Sequence, residues 1–170
     1  MQLKDRVAVV TGAGGGIGRG ICECLAREGA DIVVCDLNRD AAEKTVAAIE
    51  SRGRLGHVVQ ADITDEAACC NLVVAATGRF GRIDILVNNA GHFGAAIGQH
   101  FTDQSKEDWE ANLAVNLTGP FFLCKAVAPG MTERRFGKII NISSIAAQRD
   151  PTFAPAYAAA KNALLNLTRV

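Results

Sequence analysis

The chain has 170 residues, 49% of them hydrophobic, and its eighteen basic and eighteen acidic side chains cancel. That length suits a single domain with a real core, and a balanced charge without any basic run points away from nucleic acid. The N-terminal Met1-Gln2-Leu3-Lys4-Asp5-Arg6 lacks the apolar core of a signal peptide, and no apolar stretch is long enough to span a bilayer, so a cytoplasmic protein is expected.

The first element, Arg6-Val7-Ala8-Val9-Val10, is a short β-branched run that reads as a buried strand. It leads through Thr11-Gly12-Ala13-Gly14-Gly15-Gly16-Ile17-Gly18 into a helix from Arg19 to Glu28, with Ile17, Ile21 and Leu25 as an apolar stripe to lay on a sheet. A second strand, Asp31 to Asp36, precedes a helix over Arg39–Arg52, and Gly56 to Gln60 reads as the third strand. Asp65 to Thr77 is then helical, Ile83 to Val87 the fourth strand, and Lys106 to Thr132 one long helix with Trp109, Leu113 and Phe121 near one side. Gly137 to Ile142 is the fifth strand and Ala156 to Arg169 the last helix. Strict β/α alternation argues for a doubly wound parallel sheet, an α/β three-layer αβα arrangement covered by right-handed crossovers. Ligands of such sheets lie beyond the carboxyl ends of the strands. Thr11, Asp36, Asp62, Asn88 and Ser144 all fall at or just past those ends.

Strand, glycine turn and helix together make a phosphate cradle: the turn admits oxygens close to the backbone, and the helix N-terminus offers N–H donors. The string G-x-G-x-x-G is absent; the residues fit T-G-x-x-x-G-x-G, as Thr11, Gly12, Gly16 and Gly18. Asp36 stands where a carboxylate accepts hydrogen bonds from the adenosine ribose diol and repels a 2′-phosphate, which favours NAD over NADP. No basic residue occupies Gly15 or Leu37, although Arg39 is near; Asp36 is also placed to cap the helix from Arg39.

The one tyrosine, Tyr157, lies four residues before Lys161 and thirteen after Ser144. Positions i and i+4 share a helix face, and an ammonium beside a phenol favours the phenolate. The six cysteines have no C-x-x-C spacing and the three histidines are scattered, so reduced packing thiols and no metal site are expected. The glycosylation-like strings at Asn116, Asn141 and Asn166 then carry no meaning.

Thr11-Gly12-x-x-x-Gly16-x-Gly18, Asn88-Asn89-Ala90-Gly91, Asn116, Ser144 and Tyr157-x-x-x-Lys161 resemble, in order and spacing, the short-chain dehydrogenase/reductase family, from about Leu3 to the last residue. The resemblance implies a Rossmann-like NAD-binding domain over residues 1–170. It also implies an NAD-dependent oxidoreductase that interconverts a secondary alcohol and a ketone. Tyr157 would be the general acid/base, with Lys161 depressing its pKa and holding the nicotinamide ribose. Ser144, the second of the Ser143-Ser144 pair, would hydrogen-bond the reacting oxygen, and Asn116 would position a water behind Lys161. On the cofactor side it implies Gly12, Gly16, Ile17 and Gly18 at the phosphates, Asp36 at the ribose, and Asp62 with Ile63 at the adenine. Asn89, Ala90 and Gly91 would line the cleft. Read from the residues alone, Asn116 is a buried asparagine bending its helix, Asp62 a cap leading into the Asp65 helix, and Asn89 a turn residue.

Residues from Gly91 to Gly98 and from Ala147 to Asp150 should border the substrate pocket. There His92 reads as a solvated loop histidine and Arg149 as a surface charge. Chains of the family normally continue past the Tyr-Lys helix, so the fold should lack its last strands, with the fifth strand as a sheet edge and the pocket open on one side. Two other functions stay open: an NADPH-dependent 3-oxoacyl carrier-protein reductase, against which Asp36 argues, and a non-catalytic nucleotide-binding fragment. A small-molecule alcohol or ketone substrate, no nucleic acid or membrane partner, and a homodimer or homotetramer complete the expectation.

Overall fold

A computed structural model describes residues 1–94, 100–148 and 154–169. Five parallel strands, β1 (Val7–Thr11), β2 (Asp31–Asp36), β3 (Gly56–Gln60), β4 (Ile85–Asn88) and β5 (Lys138–Asn141), form one sheet in the order β3-β2-β1-β4-β5. The helices are α1 (Gly16–Arg27), α2 (Arg39–Glu50), α3 (Glu66–Phe80), α4 (Lys106–Leu113), α5 (Gly119–Glu133) and α6 (Pro155–Leu167). The expected strands are all present, within about two residues of their predicted limits.

The near-continuous apolar runs of β1 and β2 are what a sheet covered on both faces requires. Alternate residues separate them: Ala8, Val10, Ile32 and Val34 pack with Cys22 and Ala26 of α1 and Ala42 and Ile49 of α2. Val9, Val33 and Leu86 pack on the other face with Leu72 and Ala76 of α3 and Leu123 and Val127 of α5. This is the three-layer, Rossmann-like α/β arrangement. Strand order reverses between β1 and β4, opening a crevice at their carboxyl ends.

Two expectations need correction. In α1 the buried residues are Gly18, Cys22 and Ala26, while Ile17 is 71% exposed and Ile21 and Leu25 pack only at the margin. Close approach decides this: a Cβ at Gly18 would fall on the Gly12 carbonyl oxygen, so the smallest residue must face the turn. The long helix runs through as expected, but with an internal π turn and a different buried side. A π-helical segment, Ala114–Thr118, separates α4 from α5, and the buried side carries Asn112, Asn116, Leu123 and Val127 rather than Trp109 and Phe121. Asn116 is the buried residue of this π turn.

The amino ends of β1 and β4 are locked by Asp84, which is 2% exposed, accepts from Val7 N at 3.0 Å and Arg82 Nε at 2.9 Å, and pairs with Arg6. Lys138, Ile139 and Ile140 of β5, the last strand in the order, are exposed.

Candidate active site

The glycine turn lies flat against the turn after β4. A Cβ at Gly12, whose φ is +60°, would meet Ala90 Cα at 2.8 Å, so this position must be glycine on both counts. Asn89 ties the two turns: its Nδ2 donates to the carbonyls of Thr11 (2.9 Å) and Gly12 (3.1 Å), and Thr11 Oγ1 accepts from the amides of Asn89 and Ala90, both at 3.1 Å. Asn89 is therefore a brace of the crevice, through bonds within the protein.

The same turn fits a diphosphate. Helices α2, α3 and α4 begin with side-chain caps from Asn38, Asp65 and Ser105, whereas α1 has neither a capping side chain nor an acid in its first turn. Its amide donors and positive dipole end are left for an anion, and Gly15 and Gly16 face open space where side chains would obstruct one.

A cleft at the strand ends is lined by Gly12, Asp36, Asp62, Ile63, Ala90 and Gly91, all six of them expected cofactor contacts. Cys35, Leu37, Ala61 and Val115 also line it and were not expected, and His92, expected beside the substrate pocket, lines it too. Leu37 had a signal, an exposed apolar residue directly after Asp36; Val115 had none, because its position depends on the π turn. Asn38, not Asp36, caps α2, accepting from Ala41 N at 3.0 Å. The Asp36 carboxylate instead accepts from Gly14 N (2.8 Å) and Asn38 N (2.9 Å). Asp62 Oδ1 accepts from Thr64 N and Oγ1, forming a turn ahead of α3, and Asp65 is that helix's cap.

The second cluster is strapped to the end of β5. Lys161 Nζ donates to the Ile142 carbonyl at 2.8 Å, Ser143 Oγ donates to the Lys161 carbonyl at 2.9 Å, and Asn162 Nδ2 donates to the Ala147 carbonyl at 2.7 Å. These bonds fix α6 against the turn Ile145–Ala147 that Ser144 begins. Ser143 thus spends its proton on α6. Ser144 Oγ accepts from Ala146 N at 3.2 Å, and its own proton has no acceptor among the described residues. Lys161 Nζ lies 5.7 Å from the centre of the Tyr157 ring. The lysine is 3% exposed, and burial pulls its ammonium down to about 8.

Asn116 joins this cluster to the cleft. Its Nδ2 donates to the carbonyls of His92 (2.7 Å) and Asn112 (3.0 Å), and its Oδ1 accepts from His92 N at 3.2 Å. A Cβ on Gly91 would lie 3.3 Å from Asn116 Oδ1 and 3.8 Å from Lys161 Nζ, so amide and ammonium converge on one point. The asparagine both distorts its helix and faces the lysine. Phe93 stacks on Tyr157 with ring centroids 4.1 Å apart and planes 25° apart, a contact with no signature in the sequence. The Tyr157 hydroxyl has no protein partner among the described residues. Residues 95–98, Arg149 and Asp150, expected at the substrate pocket, lie outside the described residues.

Among the described residues no three His, Cys, Asp or Glu side chains group as metal ligands, and no helix is long and apolar enough to cross a membrane. Burial pushes the thiols of Cys22 and Cys35 up to about 12, which makes them inert packing groups.

A parallel sheet with an uncapped glycine turn, an acid at the end of β2 and a Tyr-Lys pair on α6 defines a Rossmann-like α/β protein. The chain belongs to the short chain dehydrogenase family, whose profile matches residues 6–170. It is 39% identical over 170 residues to galactitol 2-dehydrogenase of Agrobacterium fabrum, covering 99% of this chain and 64% of that protein. It is 37% identical to sorbitol dehydrogenase of Cereibacter sphaeroides, again covering 99% and 64%. Among solved structures, NAD+-bound xylitol dehydrogenase superposes with a TM-score of 0.95 at 36% identity, covering 99% of this chain and 64% of that one. The chain spans under two thirds of the length of these relatives.

Proposed function

We infer that the protein is an NAD-dependent oxidoreductase interconverting a secondary alcohol and a ketone, with Tyr157 as general acid/base. The observation that carries this reading is the buried Lys161 ammonium, set between the Tyr157 ring and the Asn116–Gly91 corner of the nucleotide cleft. A positive charge there favours the phenolate and lowers the cost of moving a proton at the Tyr157 hydroxyl. The Ser144 hydroxyl, with its proton uncommitted, would donate to the substrate oxygen as charge develops on it. Gly12, Gly16, Ile17 and Gly18 would hold the dinucleotide phosphates, Asp36 the adenosine ribose, Asp62 and Ile63 the adenine, and Asn89, Ala90 and Gly91 the wall of the cleft. Tyr157 and Lys161 would meet the nicotinamide ribose. When bound, the nicotinamide supplies hydride transfer to or from the substrate carbon.

Polyols and their ketoses are the favoured substrates, since the relatives include galactitol, sorbitol and xylitol dehydrogenases. Asp36 disfavours an NADPH-dependent 3-oxoacyl carrier-protein reductase. The remaining features of the proposal are one nucleotide-binding domain over residues 1–170, a homodimer or homotetramer, and a cytoplasmic location. A second reading, a nucleotide-holding protein without turnover, draws on the Phe93 ring covering Tyr157.

The test is a titration with NADH and with NADPH, followed by cofactor fluorescence, and then a panel of ketoses and simple ketones. Preferential NADH binding with oxidation supports the enzyme, binding without oxidation supports the second reading, and no binding of either cofactor overturns both.

A further inference from the structure

Residues 13 and 14 of the glycine turn are held by bonds within the protein. Ala13 N donates to the Cys35 carbonyl at 3.1 Å, extending the β1–β2 pairing one step past Thr11. The Ala13 carbonyl accepts from Thr45 Oγ1 at 2.9 Å, and Thr45 is fully buried in α2. Gly14 N then donates to Asp36 Oδ2 at 2.8 Å. A Cβ at Gly14 would lie 2.9 Å from that same oxygen and 2.9 Å from Ala41 Cβ. The backbone at Gly14 is not left-handed, so contact rather than conformation demands glycine here.

We propose that Gly14, seated by Thr45, is a positioning residue for cofactor choice: it latches the Asp36 carboxylate in the orientation that reads a ribose diol. This rests on Asp36 being the ribose contact. An ionised carboxylate has about four lone-pair sites. Gly14 N and Asn38 N each take one, on different oxygens, and leave one acceptor on each oxygen for a pair of hydroxyls. Charge-assisted bonds of this kind are the strong ones, and they stop the side chain rotating. A fixed carboxylate also cannot turn away from a 2′-phosphate, so one latch strengthens NADH binding and penalises NADPH. Without it, Asp36 keeps its charge but not its aim.

The test is a double-mutant cycle read by fluorescence titration, with the ratio of the NADPH and NADH dissociation constants as the observable. Gly14→Ala should lower that ratio roughly tenfold in the parent, the size expected for losing one charged hydrogen bond. In an Asp36→Ala background the same change should leave the ratio where it is, because the latch acts only through that carboxylate. An equal effect in both backgrounds, or no effect in the parent, overturns the latch. A ratio that Asp36→Ala itself does not lower overturns the ribose contact on which the latch rests. Should Gly14→Ala not fold, Thr45→Val frees the Ala13 carbonyl without adding an atom. It should lower the ratio by about threefold, and an unchanged ratio overturns the proposal.

Discussion

The two halves of the site are held in different ways. On the nucleotide side, β1 and β2 are buried on both faces, and the turn that leaves β1 is bonded to β2, α2 and the turn after β4. On the side of Tyr157 and Lys161, α6 buries Ala156, Ala160 and Leu164 and is strapped to the segment after β5 by the bonds of Ser143, Lys161 and Asn162. Binding geometry is thus set by the turns at the sheet's centre, whereas catalytic geometry also depends on the straps between α6 and the segment after β5. The first should survive changes that the second does not.

The comparison is broken most severely at Asp84, where both halves share a foundation. Asp84→Ala leaves the Val7 amide without its acceptor and removes the partner of the half-exposed Arg6 and Arg82, and should cost about 1–3 kcal/mol in urea unfolding. NADH affinity and turnover should fall together at temperatures near the new transition. A loss under about 1 kcal/mol would mean that this buried carboxylate is no more than a surface-type ion pair.

Lys161 sharpens the contrast through pH. Its ammonium titrates near 8 when folded, against an ordinary value of 10.5. Below pH 8 the lysine is charged in both states and the burial penalty is complete. Between 8 and 10.5 the unfolded chain binds the extra proton, so stability rises with pH, by about 3 kcal/mol from this group. Lys161→Met should remove that rise; unfolding free energies of parent and variant that run parallel from pH 7.5 to 10.5 would contradict it.

The smallest expected effect is at Ser143. Ser143→Ala removes one strap, should cost about 1 kcal/mol of stability, and should reduce turnover while the NADH dissociation constant stays put. An equal loss in both would show that the two halves are not mechanically separate.

The strands, the helices over the sheet and the residues of the crevice were legible because each depends on local signals: β-branched runs, glycine turns, and a carboxylate or hydroxyl at a strand end. The buried face of α1 was misread because hydrophobicity marks Ile17, Ile21 and Leu25, while a backbone approach at Gly18 decides the packing. The π turn after Leu113 was invisible because Asn116 satisfies its amide through His92, a partner 24 residues away. The Phe93–Tyr157 stack and the Gly14–Asp36 bond join residues far apart in the chain, and no periodicity marks such pairs.

The account turns on Tyr157 moving a proton while the nucleotide half stands independent of it. Tyr157→Phe compared with the parent, by NADH titration and by ketose reduction at saturating NADH, tests that most directly. The account predicts an NADH dissociation constant within about twofold of the parent and a turnover reduced by at least about a hundredfold. Undiminished turnover, or an NADH affinity that falls in step with turnover, would contradict it.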